Sequence, residues 1–209
     1  MTGRSVRGLR GGVAVALLAV ALAGCGIRPT KVPTDFGPAP SRVPCSLSGS
    51  DTAAQSGHGV PVRVFLLCGA SLVAVDRTVT VPEGTPDARR RAIVAQGLLD
   101  QLAAAPSAAE RAAGYTTYVP GGLAVATPGP RASRDPEETL RLSSAPSRLP
   151  GYALAQLVCT LSDSAAAEGD GSVVLAGPGT DPLRRYECTE DVRTSPGAEQ
   201  PPSSAVPEN

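Results

Sequence analysis

The stretch that decides the fold is "VRVFLLCGASLVAVDRTV", residues 62–79. Residues 62–68 and 71–79 are two runs rich in β-branched and apolar side chains, and only Gly69 and Ala70 separate them. Two such runs joined by a two-residue linker that contains glycine are typical of a β-hairpin with a tight turn. We therefore expect the domain to begin with two antiparallel strands.

A helix is predicted after the hairpin, within "EGTPDARRRAIVAQGLLDQLAAAP", residues 83–106. Thr85 can cap its N-terminus, Pro86 suits the first helical position, and Asp87 complements the helix dipole. Gly97 lowers the helix propensity but leaves room for another element to approach closely. One face carries an apolar stripe, made of Ile93, Val94, Leu98, Leu102 and Ala105.

A second helix is predicted within "GYALAQLVCTLSDSAAA", residues 151–167. Its apolar side chains recur at i, i+3, i+4 and i+7, as Leu154, Leu157, Val158 and Leu161. This spacing is typical of an amphipathic helix that covers a core with one face.

Shorter apolar runs predict further strands between and after the helices, at residues 122–127, 138–143, 172–177 and 184–189. The order of elements is then two strands, a helix, two strands, a helix and one or two strands. This order indicates an α+β fold. We expect a single small domain over residues 60–193, with a mostly antiparallel sheet and two helices packed on one of its faces.

The same residues resemble the GerMN domain, which occurs in sporulation and germination proteins and in actinobacterial envelope lipoproteins. Its "LL.GP" element and the Glu, Gly and Pro-Gly turn that follow match Leu98, Leu99, Pro106, Glu110, Gly114, Pro120 and Gly121. Its "Q-[IVL]-V-x-T" helix matches Gln156, Leu157, Val158 and Thr160. Ala105 departs from the family's usual glycine before the proline, and "GPGTDP" alters the last strand region. The resemblance implies a non-catalytic assembly or sensing module of a membrane complex.

The N-terminus has the pattern of a bacterial lipoprotein signal peptide, residues 1–24. Three arginines in the first ten residues precede an uncharged run over residues 11–24. As a helix this run spans about 21 Å, less than the roughly 30 Å hydrocarbon core of a bilayer. It ends in "LAGC", residues 22–25, which resembles the lipobox of bacterial lipoproteins. We therefore predict a diacylglyceryl anchor on Cys25, which would hold the chain at the extracytoplasmic face of the cell membrane.

Two flanking segments have the composition of unstructured chain. Residues 25–59 are rich in Pro, Ser and Gly and are interpreted as a tether between lipid and domain. Residues 194–209 lack apolar periodicity and are predicted to form a disordered tail. Loss of residues 1–24 removes three arginines and no acid, so the formal charge falls from 0 to −3. This charge argues against a nucleic-acid-binding protein.

Four cysteines remain in the chain after Cys25, an even number that suggests two disulfides in an exported protein. We predict Cys159–Cys188, because a helix and the strand after it are usually neighbours. The second pair is then Cys45–Cys68, which would join the end of the tether to the first strand. The pairing Cys68–Cys159 with Cys45–Cys188 remains an alternative. No close Cys/His pairs with zinc-ligand spacing occur, so we expect no metal site.

Candidate catalytic residues are few. His58 lies in the tether, and a catalytic base needs a rigidly held partner. Arg89, Arg90 and Arg91 could contact an anionic polymer or lipid, but they also suit a solvated helix face. Glu137 and Glu138 are adjacent, so on a strand they point to opposite faces.

Three functional hypotheses remain, and in none do we expect a cofactor or nucleic acid. The first is a non-catalytic envelope lipoprotein that binds a protein or another envelope component. The second is a cell-wall-acting enzyme with an unrecognised site. The third, a solute-binding lipoprotein, usually needs a longer, two-lobed chain. A deep pocket of perturbed carboxylates would favour the enzyme, and an exposed apolar patch of roughly several hundred Å² would favour the binding module.

Overall fold

The hairpin supplies two of the three strands of the first of two sheets. The computed structural model describes residues 45–47, 59–126, 135–167 and 169–207, which belong to one compact unit. Strand β1 (Val60–Cys68) pairs antiparallel with β2 (Ser71–Val79), and the turn residue Gly69 has a φ of 62°. The predicted hairpin is therefore confirmed. A short strand, β3 (Tyr115–Thr116), pairs antiparallel with the other side of β1 and gives the order β2-β1-β3.

The second sheet contains four strands in the order β4-β5-β6-β7. They are β4 (Leu140–Arg141), β5 (Ser172–Ala176), β6 (Arg184–Glu187) and β7 (Ser203–Ala205). The pair β4–β5 is parallel, and the other two pairings are antiparallel. The predicted α+β class with mostly antiparallel pairing is confirmed, although the strands form two sheets.

Four α-helices complete the described part of the domain. They are α1 (Asp87–Ala103), α2 (Ala108–Ala112), α3 (Gly151–Ser162) and α4 (Glu190–Thr194). A 3₁₀-helix, Pro146–Arg148, precedes α3. The two long helices, α1 and α3, are those that the sequence predicts.

Helix α1 buries one face, as its apolar stripe predicts. Its core side chains are Val94, Ala95, Leu98, Leu99 and Leu102. Gly97 lies against β2, because a Cβ at this position would come within 2.4 Å of Val79 Cγ1. The start of the helix differs from the expectation: Pro86 is the N-cap, and the Thr85 hydroxyl donates to the Pro82 carbonyl instead of capping. Ala105 lies beyond the helix and is exposed.

After its first two residues helix α3 is buried on every side, which corrects the prediction of an amphipathic helix. All ten residues from Ala153 to Ser162 are buried. The helix adjoins β1 of the first sheet, β5 and β6 of the second sheet, and α1. Because protein surrounds residues 153–162, both apolar and polar positions in this part of α3 face other protein groups.

Two further expectations are corrected. The strand predicted at residues 122–127 is reduced, among the described residues, to an isolated bridge between Val125 and Leu142. The tail predicted to be disordered contains β7, which pairs with β6 at the edge of the second sheet. Backbone hydrogen bonds order this segment although it lacks an apolar pattern, and sequence periodicity cannot detect such bonds.

The predicted signal peptide, Cys25 and most of the predicted tether lie outside the described residues. No helix in the described ranges is long and apolar enough to cross a membrane.

Candidate functional site

Two polar side chains of α3 form hydrogen bonds with backbone groups of β1 that β3 does not pair with. Strand β3 pairs with β1 only at Leu67 and Cys68, so the backbone of Phe65 has no strand partner on that side. The Phe65 N–H donates to Thr160 Oγ1 at 2.9 Å, and Gln156 Nε2 donates to the Phe65 carbonyl at 3.0 Å. Gln156 and Thr160 lie one turn apart on α3 and therefore bind both backbone groups of one residue.

Gln156 also holds the segment that leaves β3. Its Oε1 accepts from the Tyr118 N–H at 2.8 Å, and its Nε2 lies 3.5 Å from the Thr116 carbonyl. The side chain is completely buried, so its amide must be satisfied by protein groups. Gln156 and Thr160 thus join a helix to a strand and a loop in this chain.

Glu110 is a buried carboxylate that connects α2 to β2. It forms a capping box with Ser107: its Oε2 accepts from the Ser107 N–H at 2.7 Å, and its own N–H donates to Ser107 Oγ. Arg77 Nη2 donates to its Oε1 at 2.5 Å. Burial raises the pKa of Glu110, but the hydrogen bond from Ser107 and the guanidinium of Arg77 outweigh burial and hold the pKa below its usual value. The carboxylate is therefore ionised and bound within the fold.

The most exposed large apolar surface of the described residues is a pair of tyrosines, Tyr118 and Tyr152. Their rings are stacked, with centroids 5.2 Å apart and planes inclined by 28°. Tyr118 follows β3, and Tyr152 lies in the first turn of α3, so the pair joins two distant parts of the chain. We name Tyr118 and Tyr152 the tyrosine platform. The sequence analysis did not identify it, and the only available signal was the rarity of tyrosine, which occurs four times.

A surface cavity of about 470 Å³ lies at the C-terminal end of α3. Phe65, the two cysteines Cys159 and Cys188, and the polar side chains of Asp163 and Arg193 contribute to its walls. Both charged side chains are engaged in ion pairs, Asp163 with Arg63 at 2.6 Å and Arg193 with Glu190. Each of these two charged side chains of the cavity wall therefore already has an ion-pair partner.

The structure contains both predicted disulfides. The Cα atoms are 5.8 Å apart in Cys45–Cys68 and 4.9 Å apart in Cys159–Cys188, within the range for disulfides. The first bond fixes residue 45 of the predicted tether to β1, and the second fixes the residue after β6 to α3. The alternative pairing is not present.

The other charged residues that the sequence suggested as candidates do not lie together in one site. Arg91 donates to the Glu137 carbonyl at 2.7 Å, and Arg90 lies 3.9 Å from Asp87 on the same helix. Arg89 is exposed. Glu138 lies 3.6 Å from Arg185. His58 and Cys25 are outside the described residues.

The described ranges contain no group of three or more His, Cys, Asp or Glu residues arranged to hold a metal ion. A scan of the chain against models of protein families, a search of curated proteins and a search of solved structures each found no match.

Proposed function

We propose that this chain is a lipid-anchored lipoprotein of the bacterial cell envelope whose α+β domain binds another envelope component without catalysing a reaction. The observation that carries the proposal is the sequence "LAGC", residues 22–25, at the end of a short uncharged run. A diacylglyceryl group on Cys25 would supply the two acyl chains that stable anchoring needs.

The two disulfides support an extracytoplasmic location. Such bonds form and persist in oxidising compartments and are rare in the cytosol. One of them begins at Cys45, only 20 residues after Cys25, so the first residue that is disulfide-bonded to the domain is close to the proposed anchor. The intervening residues are rich in proline, which suits a spacer between the membrane and the domain.

The distribution of polar residues supports a binding role. The polar positions of the GerMN-like pattern, Glu110, Gln156 and Thr160, bind other parts of the same domain. The tyrosine platform, by contrast, is directed to solvent and is available to a partner. Tyrosine is enriched at protein interfaces, because its ring can be buried there while its hydroxyl keeps a polar partner.

The anchor is tested by the substitution Cys25→Ala, with Thr30→Ala as a matched control in the same segment. In cells fed a labelled fatty acid, we expect the control to incorporate the label and to remain in the washed membrane fraction. The Cys25→Ala chain should lose both properties. Retention of label and membrane association by Cys25→Ala would contradict the lipoprotein proposal.

The binding role is tested by crosslinking in intact cells. A photoreactive phenylalanine derivative replaces Tyr118, and the same derivative at the exposed Ala74 of β2 is the control. We expect position 118 to give a crosslinked envelope component that position 74 does not give. Identical products from both positions would contradict a role of the tyrosine platform in binding.

A further inference from the structure

The two disulfides of the domain differ in their surroundings. Cys68 is buried in the main hydrophobic core, its Sγ lies 3.5 Å from the Ala113 carbonyl oxygen, and Cys45 packs against the same core. Cys159–Cys188 instead forms part of the wall of the surface cavity of about 470 Å³ at the end of α3. The second disulfide therefore lies where a reagent from solvent can approach it.

The cavity gives access to one end of this disulfide in particular. Cys159 is completely buried, whereas Cys188 is only part-buried. A cavity of about 470 Å³ has the size of a small-molecule site, so a thiol-bearing side chain can enter it. Thiol–disulfide exchange requires an attacking thiolate to reach one sulfur, and exposed disulfides are the labile ones. Cys188 Sγ is therefore the sulfur that an incoming thiolate meets first.

The same bond fixes a short helix to the first sheet. Helix α4 begins two residues after Cys188, and Val192 is its only buried residue. Val192 packs on Phe65, Leu67 and Leu72, which we name the hairpin cluster and which is separate from the main core. A helix of five residues is not stable by itself, so the position of α4 depends on its attachments to the domain.

The strand before the helix has attachments of its own. Strand β6 ends at Glu187, and backbone hydrogen bonds pair it with β5 on one side and with β7 on the other. These bonds do not involve the disulfide. Loss of the bond between Cys159 and Cys188 would therefore loosen α4 and leave the second sheet in place.

We infer that Cys159–Cys188 is a redox switch, which a dithiol protein of the thioredoxin class reduces through the cavity. Reduction releases α4 from the hairpin cluster and uncovers the apolar side chains Phe65, Leu67 and Leu72. This inference goes beyond the proposed function and does not depend on the lipid anchor.

The exchange takes place in two steps. A thiolate of the reductant attacks Cys188 Sγ, the bond to Cys159 Sγ breaks, and Cys159 leaves as a thiolate that takes a proton from solvent. The second thiolate of the reductant then attacks the reductant's own sulfur in the mixed disulfide, and Cys188 leaves as a thiolate that is protonated in turn. Two electrons pass from the dithiol, which becomes a disulfide, to this chain, which gains two thiols.

The first test measures which disulfide is reduced. It uses the purified full chain with Cys25→Ala, so that the four disulfide-bonded cysteines are the only cysteines present. Reduced thioredoxin is added, free thiols are alkylated at successive times, and the peptides are quantified by mass spectrometry. We expect Cys159 and Cys188 to be alkylated at least about tenfold faster than Cys45 and Cys68. Equal rates, or faster reduction of Cys45–Cys68, would overturn the inference.

The second test identifies the sulfur that is attacked. A thioredoxin variant in which serine replaces the second active-site cysteine stops the exchange at the mixed disulfide. We expect peptide mapping to find this thioredoxin bound to Cys188. Attachment to any other cysteine, or no trapped adduct, would contradict attack through the cavity.

The third test follows α4 by amide hydrogen exchange. After reduction of Cys159–Cys188 we expect residues 190–195 to exchange at least about tenfold faster, while β5 and β6 stay protected. The variant Cys159→Ser/Cys188→Ser should show the same change without reductant, and Cys45→Ser/Cys68→Ser is the matched control in which α4 stays protected. Because the unsubstituted cysteines are also reduced directly, the test does not depend on the folding of either variant. Unchanged exchange in α4, or loss of protection throughout the domain, would overturn the switch.

Discussion

Helices α1 and α3 pack into the same core but meet different surroundings. Helix α1 buries one stripe and places residues such as Asp100 in solvent, whereas every residue from Ala153 to Ser162 of α3 is buried. Polar side chains on α1 have water available, but those on α3 must find protein partners. The comparison shows why α3 carries Gln156 and Thr160 opposite the free backbone groups of β1: the burial of the helix requires such partners.

The largest expected effect is the loss of a core leucine from either helix. Leu157 of α3 and Leu98 of α1 are both completely buried. We expect Leu157→Ala and Leu98→Ala each to lower the free energy of unfolding by about 2–5 kcal/mol, from lost burial and the cavity left behind. Denaturant unfolding measures both. A loss below about 0.5 kcal/mol, typical of surface positions, would contradict the helix orientation described above.

Replacing one glutamine in each helix tests whether burial determines how much a polar side chain contributes to stability. Gln156→Leu would leave the buried Phe65 carbonyl and the part-buried Tyr118 N–H without their partner, and we expect a loss of about 3 kcal/mol. Gln96 of α1 accepts from the Val125 N–H at 2.8 Å but is only half-buried.

Because water can replace part of the Gln96 contact, Gln96→Leu should cost about 1 kcal/mol or less. Chemical denaturation of the two variants under identical conditions measures the difference. Equal losses would mean that the burial of α3 does not determine the importance of its polar groups.

A smaller effect is expected where α1 approaches β2. Gly97→Ala adds a methyl group against Val79, so we expect a loss of about 1–3 kcal/mol despite the better helix propensity of alanine. The double variant Gly97→Ala/Val79→Ala should lose less than the sum of the two single variants, because it removes the clash. Strictly additive losses in a double-mutant cycle would show that Gly97 is not required for this contact.

A difference that depends on pH is expected at Glu110. Its pKa in the folded protein lies below the ordinary value of 4.5. The ionised carboxylate therefore stabilises the fold fully above the pKa of the unfolded chain, and this contribution is lost as the pH falls through the folded-state pKa. In Glu110→Gln, which keeps the shape but cannot ionise, this part of the pH dependence should disappear.

Unfolding free energies of the wild type and Glu110→Gln, measured from neutral to acidic pH, test this prediction. The advantage of the wild type should be greatest near neutral pH and should shrink as the solution is acidified. An advantage that grows on acidification would contradict the assigned ion pair with Arg77.

Several features followed from local sequence patterns. The hairpin depends on two apolar runs and Gly69, and α1 depends on a regular apolar stripe, so the residues that decide these elements are close in the chain. The disulfide Cys159–Cys188 followed from the tendency of consecutive elements to be neighbours. The Gly97 contact was likewise expected from a glycine within an apolar stripe. Each inference needed only residues within one element or two successive ones.

Local periodicity and chain order were enough to predict the α+β class, the hairpin and the two long helices. They favoured the disulfide pairs that the structure contains but left one alternative pairing open. Only the tertiary structure decided that residues 153–162 of α3 are buried on every side, that β7 extends the second sheet, and that Tyr118 stacks on Tyr152. In each of these cases the contacts join segments that lie far apart in the chain or lack an apolar pattern. Their energy comes from burial and backbone hydrogen bonds between elements, which no local pattern records.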